Sequence, residues 1–240
     1  STRGGVAYDA RRPMTSKAVR HAKRQVMKQG QKRMLVLGAT GSVGRLVVED
    51  AVKRRHDVTG LVRSPHKLAD LATQVKMVQG DALDAGAVET AVAGQDAVIY
   101  ALGAGNVRHT TLFSDSTRVL LDAMNRHSVR RLICVTGVGA GETKGHGGFV
   151  YDRILFPLFT KRIYADKDKQ ERLIRDSQTD WTIVRPASFR RNTAPGALRA
   201  VTTVADVTLR AISRLEVARF LLDEIYAIPH STMELGAPKR

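Results

Sequence analysis

The chain has one cysteine, Cys134, set within an apolar run. A lone cysteine excludes an intrachain disulfide framework and a cysteine-based metal site. The seven histidines are scattered, with no His-Glu-x-x-His or similar spacing, so no metal is expected. No apolar run approaches the roughly 20 residues that cross a bilayer, which predicts a soluble protein with no transmembrane segment. The expected location is cytoplasmic or an organellar matrix or stroma, not secreted. Aromatic residues are sparse at 5%, and acidic residues are few, with 23 Asp and Glu against 39 Lys and Arg. The remainder is ordinary. At 240 residues, 43% hydrophobic and 26% charged, the chain suits one α/β domain with a full core.

The charge of +16 is unevenly spread. Residues 1–33 carry ten Lys and Arg against Asp9 alone. This basic N-terminal extension precedes the first strand, and residues 34–240 are expected to form the folded domain. Ser16 could cap a short helix through Gln29. Three readings of the extension stay open. It is a solvated segment, a docking arm for an acidic partner or larger assembly, or the remnant of an Arg-rich targeting segment. Nucleic acid is not expected as its partner, since charge is the sole argument for it and no aromatics or known module accompany it.

What the chain does have is the stretch Met34-Leu35-Val36-Leu37-Gly38-Ala39-Thr40-Gly41-Ser42-Val43-Gly44-Arg45. An apolar run enters three glycines spaced Gly-x-x-Gly-x-x-Gly, and an apolar helical pattern leaves them. This predicts a buried strand, a tight turn and a helix N-terminus, which together form a phosphate site. Gly38 allows the turn, Gly41 admits a pyrophosphate and Gly44 lets the helix pack closely.

Strands are predicted next at Asp57–Val62, Val75–Val78, Asp96–Ala101, Arg131–Val135 and Trp181–Pro186, with helices between them. Alternation at this spacing implies a single Rossmann-type, doubly wound parallel sheet, whose ligands bind outside the carboxyl ends of the strands. An acid at the end of the second strand would bind the ribose 2′-hydroxyl of NAD. This chain has Arg63-Ser64-Pro65-His66-Lys67 instead. Arg63 is placed to pair with a 2′-phosphate, with Ser64, Lys67 and Arg45 as helpers, so NADP(H) is expected in preference to NAD(H). Asp81 after the third strand could accept from adenine or simply cap the helix starting near Asp84. The candidate cofactor contacts are Gly38, Thr40, Gly41, Ser42, Val43, Gly44, Arg45, Arg63, Asp81, Ala82, Ala101, Leu102, Gly103, Thr136 and Lys167. The small residues among Leu102–Gly105 leave room for ribose and pyrophosphate.

The chain resembles the atypical, NmrA-like NAD(P)H-binding branch of the short-chain dehydrogenase/reductase superfamily. The resemblance rests on the first glycine turn, Leu61–Pro65, Gly80-Asp81, Val135–Gly141, Tyr164–Glu171, Asp180–Pro186 and Ile212–Ala218. It implies hydride transfer between NADPH and a small carbonyl or conjugated substrate. It also implies a Tyr-x-x-x-Lys pair on the helix after the fifth strand, in which the lysine binds the nicotinamide ribose and lowers the tyrosine pKa. Thr136 matches the position that holds the substrate oxygen, and Lys167 matches the lysine. The tyrosine register departs from the pattern, because Ile163 stands four residues before Lys167 and Tyr164 only three. One residue turns a helix by 100°. Tyr164, Tyr151 or no side-chain acid at all are the alternatives.

Two further features bear on substrate. Gly139–Gly148 followed by Phe149–Phe159 reads either as a mobile hydrophobic lid or as a core helix with a dimer face. Arg190-Arg191 replaces the family's glycine-rich loop and could hold an anionic substrate or cofactor phosphates, or be solvated. The rival function is a non-catalytic, NADP(H)-binding structural or redox-sensing subunit docked through residues 1–33.

Overall fold

Met34, Leu35, Val36 and Leu37 have no exposed surface, as a central parallel strand covered on both faces requires. They form most of β1 (Arg33–Leu37) in a computed structural model that describes residues 30–103, 111–137, 161–190, 199–201, 211–227 and 229–236. The expected Ser16–Gln29 helix, Ala104-Gly105, the Gly139–Phe159 lid segment with Tyr151, and Arg191 lie outside these residues. Gln31–Arg240 forms one compact unit. Among the described residues no helix is long and apolar enough to cross a membrane.

After β1 come α1 (Gly44–Lys53), β2 (Asp57–Val62), a 3-10 turn at Pro65–Leu71, β3 (Val75–Gln79), α2 (Ala85–Val92) and β4 (Ala97–Tyr100). Then follow α3 (Leu112–Arg126), β5 (Arg131–Val135), α4 (Lys161–Arg175), β6 (Asp180–Pro186), β7 (Arg199–Val201), α5 (Arg214–Glu224) and β8 (Ser231–Gly236). The strand order is β3-β2-β1-β4-β5-β6-β8-β7. Seven strands run parallel, and β7 pairs antiparallel with β8 at the edge. This is the expected Rossmann-type sheet, with β7 as an addition. The order reverses between β1 and β4, which opens a crevice at their carboxyl ends.

The helices divide between the two faces. Val47, Val48 and Ala51 of α1 share an apolar layer with Val217, Leu221 and Leu222 of α5. Val88 of α2, Leu120 and Met124 of α3 and Ile174 of α4 form the opposite layer. Local chemistry sets the helix starts. Asp84 caps α2 by accepting from Gly86 N (2.9 Å) and Ala87 N (3.2 Å). Ser213 and Glu216 form a reciprocal capping box on α5. The cap of α3 comes from α4: the buried Asp166 carboxylate accepts from Phe113 N (2.8 Å) and from the Ser114 hydroxyl (2.5 Å).

At the amino ends of the strands Arg131 gathers acceptors from β6 and the end of α5. Arg131 donates to Asp180 O (2.7 Å), Thr182 Oγ1 (2.8 Å) and the Glu224 carbonyl. The Glu224 side chain is itself buried, and its Oε2 makes no hydrogen bond. Burial pushes this carboxyl up to about 7 from its ordinary 4.5, with Asp223 adding to the shift and Arg131 opposing it. Across that window the unfolded carboxyl has released its proton while the folded one retains it. Stability therefore falls as pH rises from 4.5 to 7, by up to about 3 kcal/mol. Glu224→Gln should be more stable than the parent at pH 8 and nearly equal to it at pH 5. Urea denaturation at both pH values checks this, and a pH-independent difference would refute it.

Candidate functional site: a dinucleotide crevice at the carboxyl edge of the sheet

The glycine turn closes onto itself. Gly41 N donates to Gly38 O (2.8 Å), and Arg45 N donates to Gly41 O (2.9 Å). Gly38 has φ +82°, and a Cβ there would lie 2.6 Å from the Ala101 carbonyl oxygen. A Cβ on Gly44 would overlap the Gly38 carbonyl. The turn thus sits pressed between α1 and the end of β4, and side chains would fill the cradle. No side chain caps α1, and its first turn holds no acid. Thr40 and Ser42 are exposed at the tip, while Val43 is buried beneath them. These are the properties of a diphosphate cradle at a helix start.

Arg63 lies beyond β2, with its side chain 81% exposed and its guanidinium 3.9 Å from the Asp81 carboxylate. Asp81 Oδ1 accepts from Leu83 N (3.0 Å), closing the turn after β3. The expectation that Asp81 caps the following helix is corrected, since Asp84 does so. Arg45 was expected beside Arg63, but its guanidinium is committed elsewhere. It donates to Glu49 (3.0 Å), to the Lys67 carbonyl (2.7 Å) and to Asp70 (2.5 Å). Two carboxylates balance its charge, so it holds the segment after β2 in place. Ala82 and Ala101 are buried, Leu102 packs partly buried against the layer that contains Ala82, and Gly103 is exposed.

At the end of β5, Lys167 Nζ donates to the Thr136 carbonyl (2.5 Å), and its ammonium lies 4.9 Å from the Phe113 ring centroid. Burial pushes the Lys167 pKa down, with Cys134 and Glu171 opposing. A Cβ on Gly137 would lie 3.9 Å from the Tyr164 hydroxyl. The structure therefore brings Thr136, Lys167 and Tyr164 to one strand end. Ile163, at the register where the family pattern puts tyrosine, instead packs against the apolar layer of α2–α4.

The Thr136 hydroxyl donates to Glu171 Oε1 (2.7 Å). A hydroxyl has one proton, so Thr136 is left as an acceptor on its remaining side. It can hold a protonated oxygen, such as an alcohol or phenol, but not a bare carbonyl. Glu171 also takes Arg185, from Nε (3.0 Å) and Nη2 (2.5 Å), and Arg185 Nη1 reaches Glu234 (3.2 Å).

Arg190 was expected to face an anion or solvent. It donates to Glu216 Oε2 (2.9 Å) on α5, which accounts for the charge that the sequence left open. Residues the sequence did not single out lie close by. Glu171 backs the threonine, Asp166 ties α3 to α4, and Arg214 donates to Ser42 Oγ (3.2 Å). A carboxylate four residues after Lys167 was visible, but its partners Arg185 and Thr136 lie 14 and 35 residues away.

A family model described as NAD(P)H-binding matches residues 38–227. Among curated proteins, a (4-alkanoyl-5-oxo-2,5-dihydrofuran-3-yl)methyl phosphate reductase of Streptomyces griseus is 32% identical over 166 residues. That match covers 68% of this chain and only 51% of the relative, about half its length. YwnB of Bacillus subtilis, uncharacterised, is 28% identical over 64% of this chain and 71% of its own. Among solved structures, the anaerobilin reductase ChuY of Escherichia coli O157:H7 superposes with a TM-score of 0.74 at 23% identity, covering 87% of this chain and 98% of its own. A short-chain dehydrogenase/reductase of Veillonella parvula in complex with NADP superposes with a TM-score of 0.72 at 17% identity, covering 87% and 96%. With a matching family model over most of the chain and its glycine cradle intact, the protein belongs to the NAD(P)H-binding family.

Proposed function

We propose that the chain is an NADP(H)-dependent reductase acting on a small conjugated or carbonyl substrate. One observation carries this reading: Lys167, Thr136 and Tyr164 meet at the end of β5, on the edge that holds the glycine cradle. When bound, the dinucleotide would supply hydride, and the residues do the rest. Gly38, Gly41 and Gly44 hold the diphosphate at the start of α1. Arg63, exposed beyond β2, takes the 2′-phosphate, and Asp81 beside it accepts from adenine. Lys167 takes the nicotinamide ribose. Tyr164 delivers the proton to the substrate oxygen, and Thr136 accepts a hydrogen bond from that oxygen once it carries a proton. The Streptomyces relative is named for reducing a phosphorylated dihydrofuranone, which favours a small, conjugated and anionic substrate class here.

Titration of the purified chain should give NADPH at least roughly tenfold tighter than NADH, and Arg63→Ala should erase that margin. Equal affinities in the parent would overturn the assignment of Arg63. With NADPH and a panel of conjugated ketones and lactones, turnover should be lost in Lys167→Ala. The position of Ile163 in the apolar layer favours a second reading, a cofactor-binding subunit without turnover that docks through residues 1–33. NADPH binding with no substrate reduced across the panel would select it.

A further inference from the structure

We infer that Arg214 is the cation that grips the diphosphate of the dinucleotide, an inference that rests on the cofactor reading above. The glycine turn supplies backbone N–H groups and a helix dipole, but no free cation. Its own arginine, Arg45, is balanced by Glu49 and Asp70. A diphosphate bridge carries two negative charges, and a helix start offers about half a positive charge. The missing charge comes from a residue 172 positions away from the turn in sequence. Arg214 Nε donates to Ser42 Oγ (3.2 Å), at the exposed tip of the cradle.

Three facts make this guanidinium a phosphate donor rather than a surface ornament. It lies over the Phe189 ring, 4.7 Å from the centroid, which fixes its plane. Its two terminal nitrogens make no hydrogen bond among the described residues, so the planar fork is left open. No carboxylate among the described residues pairs with it. Glu216, two positions on, is taken by Arg190 and by Ser213 N. An open, stacked, unneutralised guanidinium beside a diphosphate cradle is suited to bidentate recognition. Ser213 and Glu216 fix the backbone around it through the capping box, and Phe189 is anchored by its bridge to Ile212.

The test is calorimetric titration of the full chain with NADPH, NADH and adenosine 2′-monophosphate, which has no diphosphate. Arg214→Ala should weaken NADPH and NADH by the same factor, roughly 10- to 100-fold, and leave adenosine 2′-monophosphate unchanged. Arg214→Lys, which keeps the charge but loses the fork, should recover part of the loss. Parent-like affinities in Arg214→Ala would overturn the proposal while leaving the cofactor reading intact. A loss confined to NADPH and adenosine 2′-monophosphate would move Arg214 to the 2′-phosphate and also overturn it. A parent protein that binds none of the three would overturn both readings together. Thermal unfolding of each variant shows whether the fold is kept. If Arg214→Ala unfolds, Arg214→Gln is read in its place by the same criteria.

Discussion

Replacing Arg185 with leucine should cost the folded state about 3–5 kcal/mol. Arg185 is 1% exposed and lies between Glu171 and Glu234, themselves 2% and 3% exposed. Burial works against its charge, yet the bonds to the two carboxylates more than offset that and hold its pKa above the ordinary arginine value. Leucine fills part of the volume but leaves two carboxylates buried near each other. Glu171 keeps Thr136 and Arg175 as partners, and Arg175 is at 3.4 Å. Those partners stand in for only part of the bidentate fork. Urea denaturation at pH 7 measures the cost, and a loss under about 1 kcal/mol would show that the cluster relaxes freely. Removing Arg185 together with both acids in favour of apolar residues should restore most of the stability, because an ion pair is hard to break singly but can be exchanged as a unit.

The second large effect belongs to Gly44→Ala. The added methyl would overlap the Gly38 carbonyl. Gly38 cannot yield toward β4, because its own Cβ position is 2.6 Å from the Ala101 carbonyl oxygen. The clash therefore has to be relieved by tilting α1 off β1 or by opening the turn. Tilting disturbs the layer that Val47, Val48 and Ala51 share with α5. Overpacking of this kind costs about 1–3 kcal/mol in stability. Opening the turn displaces the N–H groups that would meet the diphosphate. NADPH affinity should fall by roughly 100-fold, an expectation from lost charge-assisted bonds. Gly86→Ala, on α2 and outside the cradle, is the control, since its Cβ would meet only Asp84 Oδ1, at an ordinary 3.5 Å. Equal affinity in Gly44→Ala and the parent would show that the turn is not the nucleotide cradle.

The sheet was legible in the sequence because its physics is local. Asp57–Val62 and Arg131–Val135 are apolar runs bounded by turn residues, and both form strands with those bounds. The carboxyl edge followed from the same pattern, since each strand end is marked by Gly, Arg63, Asp81 or Thr136. Helix starts were read less well. No local residue announces that α3 begins at Leu112, because its cap is Asp166 from another helix. The edge strand β7 escaped because three residues carry no periodicity. The side-chain partnerships were out of reach for a related reason. Arg190 with Glu216, Glu171 with Arg185 and Arg214 with Ser42 depend on which helix lies against which strand end. No spacing rule encodes that choice.

Asp166 is more than a cap, because it indexes the rotation of α4. Its carboxylate is anchored on the first turn of α3, so α4 cannot roll about its axis without unlatching its neighbour. One turn on, Gln170 adds a second stop by donating to Thr117 on α3 (3.0 Å). With the clocking fixed, residue 163 faces the oily side of the molecule and residue 164 faces the end of β5. A tyrosine written into position 163 would enter the packed interior and leave the crevice unchanged. The phenol that this geometry presents to the crevice is Tyr164, and the departure from the usual spacing is built into how two helices are keyed together.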